Sequence, residues 1–297
     1  MTPPAPSSWL TFACALALAT FAPSQEGQGQ QGQGGEPAPA TAQAPAKLAE
    51  WPPLAETDKE RLLALVGQFR KTDEKLREGA AKQLMAIGDP AMPMLMQQVS
   101  DRPDNVNDQL FALFDKMLEP RHAALMARES KKPRVELRRY LVRRLCTFAD
   151  REMLPVLQAT AADKDPQTAF YAQLGALALG HKESLQPVLT YTKTHWKEEV
   201  ALVSTVLPPA RSHEAGAAVF ESITKAPAAD QMAGLRLVRY LAMKEQQMLL
   251  RRYLESPDHT VKREAVNAAR VLNGEAPMED LSVFKAIEMS KDWLKKL

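Results

Sequence analysis

Five histidines (His122, His181, His195, His213, His259) and two cysteines (Cys14, Cys146) are the groups in this 297-residue chain best suited to bind a metal or move a proton. Neither a His-Glu-x-x-His nor a Cys-x-x-Cys brings them to metal-ligand spacing. Ser212-His213-Glu214 unites hydroxyl, imidazole and carboxylate, but neighbours on a helix point about 100° apart and cannot form a relay. His213 reads instead as a solvated first-turn residue. Glu198-Glu199 and Asp89 are carboxylates with no partner legible nearby. The Gly-rich stretch 27–35 neither follows a strand nor opens a helix, so it cannot cradle phosphate. No catalytic residue, metal site or cofactor is expected from these residues.

The elements that would position such groups are helices with a repeating beat. Leu84, Phe114, Leu145, Ala176, Val206, Val238 and Ala269 are spaced by 30 to 32 residues. Four residues earlier stand Ala80, Leu110, Leu141, Ala172, Leu202, Gly234 and Ala265, and positions i and i+4 share one helix face. A second series, Pro93, Ala124, Pro155, Pro187, Ala218 and Leu249, keeps the same period and marks a second helix in each unit. Proline is tolerated in a first helical turn, where its missing N–H has no partner to lose. Asp104, Asp165 and Asp258 are expected N-caps. The unit from His195 to Lys225, with Pro208-Pro209, departs most and is the place for a bend.

Leu76 to Ala91 followed by Pro93-Met94-Leu95 resembles a HEAT repeat, as do, more loosely, Val135 to Leu157 and Val261 to Gly274. The resemblance implies an all-α, right-handed α-solenoid of about seven helix pairs, in which each pair hides its apolar face on the next. It runs over 54–297, with a capping helix at 57–70, repeats from about 73, and a terminal segment placing Leu281, Phe284, Ile287 and Lys291 on one face. HEAT-like deoxyhypusine hydroxylases hold two irons with paired His-Glu dipeptides. Here His213-Glu214 stands alone and His181 is followed by Lys182, so that site is not assembled.

Residues 1–24 read as a secretory signal peptide. Trp9 to Ala22 is a 14-residue run of apolar and small residues, shorter than the roughly 18 residues a bilayer span needs, and Ala22-Pro23-Ser24, or earlier Ala17-Leu18-Ala19, suits cleavage near 19–25. The mature chain would be periplasmic or extracellular without a transmembrane span. Cys14 weakly resembles a lipidation site, and Cys146 would remain as a lone thiol, expected to be buried. Residues 25–53, rich in Gln/Gly and then Pro/Ala, read as a disordered linker.

With 38 Lys+Arg against 36 Asp+Glu, no wholesale polyanion binder is indicated and no nucleic-acid partner is expected. Between Arg121 and Arg144, however, nine basic residues face only Glu129 and Glu136. Arg138, Arg139 and Arg143 are expected to point outward, either to dock an acidic partner or to balance acidic side chains of adjacent units. Reckoned at 100° per residue, Met96, Arg128, Tyr191, Arg252 and Tyr253 fall on the outward side of the second helices, which the resemblance places on the concave face of the solenoid. Met, Tyr and Arg are interface-type residues. The expected function is a non-catalytic scaffold binding another protein or peptide; the alternative is an accessory subunit or enzyme acting on a cell-envelope polymer or small ligand.

Overall fold

The computed structural model describes residues 46–102 and 104–297. The expected signal peptide, Cys14 and the linker up to residue 45 lie outside the described residues. Among these, fourteen α-helices and six 3-10 turns occur and no strand. The helices are α1 (Glu56–Gln68), α2 (Glu74–Ile87), α3 (Met92–Gln97), α4 (Asn105–Met117), α5 (Ala123–Glu129), α6 (Val135–Thr147) and α7 (Leu154–Thr160). They continue with α8 (Pro166–Ala178), α9 (Leu185–Val206), α10 (His213–Ile223), α11 (Ala228–Leu241), α12 (Arg251–Leu254), α13 (His259–Leu272) and α14 (Val283–Lys296).

Long helices pack on one another in succession, α6 on α8, α8 on α9, α9 on α11 and α11 on α13. A short helix lies beside each following long one, α5 on α6, α7 on α8, α10 on α11 and α12 on α13. The periodic positions explain this. Leu84, Phe114, Leu145, Ala176, Val206, Val238 and Ala269 are all buried, and so are the residues four before each. Asp104, Asp165 and Asp258 cap α4, α8 and α13 through backbone N–H groups of the first turn, as the sequence predicts. At Gly175 on α8, a Cβ would stand 2.7 Å from Cys146 Cβ on α6. Only glycine lets these two helices approach so closely. Cys146 is buried as expected, and its burial pushes the thiol up to about 12.

Three local features differ from the sequence expectation. The bend in the unit 195–225 falls at His195 (φ −113°, ψ 24°), inside α9, while Pro208-Pro209 simply form a 3-10 turn after α9 has ended. On α14 the buried stripe is Ala286, Ser290 and Trp293, which leaves Phe284 72 % exposed. Residues 46–54 have no helix yet are anchored. Lys47 pairs with Asp150 and Glu152 at 3.1 and 2.7 Å, Leu48 N–H donates to the Arg121 carbonyl, and Trp51 stacks on His122 with centroids 5.4 Å apart.

Candidate proton-transfer site on α6, α8 and α9

Three helices each contribute a pair of polar residues four apart, and so on one face: Arg139 and Arg143 from α6, Gln167 and Tyr171 from α8, His195 and Glu199 from α9. Their centre is Glu199, only 4 % exposed. Its Oε1 accepts from Tyr171 Oη and from Gln167 Nε2, both at 3.2 Å, and Gln167 Nε2 also donates to Tyr171 Oη at 2.6 Å. Both donors are neutral. Burial pushes the Glu199 carboxyl above the ordinary glutamate range, and the two hydrogen bonds and the charges of Arg143 and His195 only partly oppose it. Burial also raises the Tyr171 phenol, with the Glu199 charge adding to the effect.

The rim above this carboxyl is reached by solvent. Arg143 and His195 are exposed, and Tyr191 is half-buried between Phe170 and His195, with ring centroids 4.2 Å from each. At the helix break His195 Nδ1 lies 3.1 Å from the Tyr191 carbonyl. Thr194 Oγ1 lies closer still, at 2.9 Å from Nδ1; the tautomer with its proton on Nδ1 donates to the carbonyl and leaves Nε2 as the acceptor. On the flank Arg139 grips Asp165 with two hydrogen bonds, 2.8 and 2.6 Å, and Glu136 at 2.7 Å. Arg139 holds the Asp165 carboxyl well below the usual carboxylate range, helped by Thr168. The arrangement can therefore offer a buried proton donor, an imidazole base and a guanidinium within one patch.

A second charged cluster lies between α11 and α13. Buried Glu264 on α13 meets fully buried Arg239, with Arg236 at 3.4 Å and Arg263 at 3.7 Å. Arg239 also reaches Glu279 at 2.9 Å. Arg236 and Arg239 stand 5.2 and 5.6 Å from the Trp196 ring centroid.

Of the eight residues expected to bind a partner, the structure places Tyr191 and Arg143 near Glu199, while Arg139 is held on the flank by Asp165 and Glu136. Met96 and Tyr253 correct the expectation, being 1 % and 2 % exposed. Counted from Pro93, already inside α3, the angle took the wrong side of that helix for the core; counted from Leu249, it crosses the end of a 3-10 turn, which advances about 120° per residue. In α3 the buried set becomes Met92, Leu95 and Met96, and in α12 Tyr253 and Leu254, with Tyr253 packed on Phe220. Arg252 is exposed over the Tyr253 ring. Arg128 donates to the Ala49 carbonyl.

The basic run is largely answered from within. Arg138 pairs with Asp163 at 2.8 Å and Arg121 with Asp89 at 3.1 Å. Arg134 caps the carbonyl of Gln97, and Arg144 those of Asp115 and Leu118. Asp89 and Glu199 both have partners that the sequence did not disclose, because those partners stand 32 or 33 residues away for Asp89 and 28 or 32 for Glu199. Ser212 caps α10, exposed His213 opens that helix, and Glu214 pairs with Lys182, so the triplet forms no relay. Among the described residues no group of three His, Cys, Asp or Glu is placed to hold a metal ion. None of the described helices is long and apolar enough to cross a membrane.

No protein-family model and no curated protein matches the chain. A solved structure of human deoxyhypusine hydroxylase in complex with glycerol is similar over 81 % of this chain and 98 % of that one, at 16 % identity and a TM-score of 0.33. A likeness of that degree carries no argument about activity. The expectation of a non-catalytic scaffold for protein docking is nevertheless corrected. The docking residues themselves are mostly buried (Met96, Tyr253) or held within the chain (Arg128, Arg138, Arg139).

Proposed function

We propose that the chain acts on a small ligand or a cell-envelope polymer at the α6–α8–α9 patch, with Glu199 as the group that gives and takes a proton. In this reading the helices are about seven HEAT-like pairs stacked as a right-handed α-solenoid, exported by the N-terminal segment. Arg143 recognises an anionic substituent, His195 Nε2 serves as the complementary base, and the Tyr191 ring forms a wall of the site. Tyr171 and Gln167 orient the carboxyl. One observation carries the proposal: Glu199 is a buried carboxyl held only by neutral donors. Such a group costs stability when ionised, and residues of this kind cluster at functional sites.

The test offers the purified protein soluble peptidoglycan fragments and polygalacturonate, and follows binding and chemical change. Glu199→Gln is expected to keep the circular dichroism and melting temperature of the parent while losing the conversion. Arg143→Ala is expected to weaken binding about tenfold, the loss of one charge-assisted contact. Full conversion by Glu199→Gln, or neither binding nor conversion of either polymer by the parent, would overturn the reading.

A further inference from the structure

We propose that Arg236 and Arg263 form a binding site for an oxyanion, phosphate or carboxylate, on the α11–α13 surface. The proposal does not rest on the Glu199 reading. Three guanidinium groups, those of Arg236, Arg239 and Arg263, surround the buried carboxylate of Glu264, and among the described residues Glu279 is the one other carboxylate that reaches them. The cluster therefore holds one positive charge in excess. Glu264 gives its close contact to Arg239, leaving Arg236 Nη2 at 3.4 Å and Arg263 Nη2 at 3.7 Å from its other oxygen. Both are under-coordinated for groups with five N–H donors each.

Among the described residues, three of the eight buried side-chain atoms without a hydrogen-bond partner stand at this place. Arg236 Nε, Arg239 Nε and Trp196 Nε1 are buried without a hydrogen-bond partner, and the Trp196 indole is flanked by both guanidinium groups. Folded proteins rarely leave buried donors unmatched, and two of these three belong to guanidinium groups of the cluster. Burial weakens the hold of Arg236 on its proton, in keeping with a cation short of anions. Solvent still reaches the pair, since the Arg263 side chain is 34 % exposed and that of Arg236 12 %. The planar guanidinium fork matches the oxygen spacing of carboxylate and phosphate alike.

The test is thermal melting of the full chain in inorganic phosphate, in acetate and in chloride at one ionic strength, with Trp196 fluorescence read in parallel against a Trp196→Phe control. Phosphate or acetate is expected to raise the melting temperature above the chloride value in a saturable way and to shift the Trp196 signal. Whichever of the two acts at the lower concentration assigns the source as a phosphate or a carboxylate. Arg263→Gln, at a partly exposed position, is expected to raise the required concentration several-fold, and Arg236→Met tenfold or more. Equal melting in all three salts, or an unchanged response in Arg263→Gln, would overturn the proposal. The second outcome decides the matter even if Arg236→Met fails to fold.

Discussion

Glu199 and Glu264 are both glutamates on long helices and both almost wholly removed from water, yet they are held in opposite ways. Glu264 is met by Arg239, Arg236 and Arg263. Glu199 is met by a phenol and an amide, with Arg143 acting only from a distance. Guanidinium partners build the negative charge into the fold. Neutral partners leave the proton free to come and go, which is what acid–base chemistry needs. The difference separates a carboxylate that supports the architecture from one that the architecture carries at a cost.

The largest test of this contrast is Glu264→Gln. It strips Arg239 of its buried counter-charge and is expected to cost about 3–5 kcal/mol in urea unfolding; a loss below about 1 kcal/mol would erase the distinction. Asp165→Ala comes next. Asp165 belongs to the Glu199 neighbourhood but is held like Glu264, by Arg139, and it also caps α8. Losing the cap alone costs about 1–2 kcal/mol. Because its carboxyl is depressed in the folded protein, its contribution is present above the ordinary aspartate range and is lost as pH falls through the folded value.

Tyr171→Phe removes one of the two donors to Glu199, and a cost of about 1 kcal/mol is expected. It should also raise the Glu199 carboxyl further. Glu199→Gln is expected to have the smallest effect at neutral pH, within about 0.5 kcal/mol of the parent or on its stabilising side. The sign follows from linkage. A carboxyl raised by folding adds its stability below the unfolded value and loses it as pH rises through the folded one. The parent should therefore lose stability over that interval while Glu199→Gln does not, as guanidinium melts at stepped pH would record.

Much of the helical framework was legible because burial repeats with the helix. Leu84 through Ala269 announced seven core positions, and Asp104, Asp165 and Asp258 announced caps, since capping is a local interaction. The anchoring of residues 46–54 was not legible, because Lys47 and Trp51 find their partners in Asp150, Glu152 and His122, far along the chain. Tyr191, Arg139 and Arg143 were singled out for their exposure and residue type. What joins Tyr191 and Arg143 is Glu199, and its partners on α8 reach it only after two helices pack. The signal available in the sequence was three i,i+4 polar pairs, at 139/143, 167/171 and 195/199, in consecutive units. Met96 failed because the core side of α3 was misplaced, and Tyr253 because the angle from Leu249 was carried across the end of a 3-10 turn that advances the chain faster.

The most direct measurement is an infrared titration of carboxyl groups in the parent and in Glu199→Gln. The account predicts one protonated carboxyl that persists above the ordinary glutamate range in the parent and is missing from the variant. Identical titrations of the two proteins would contradict it.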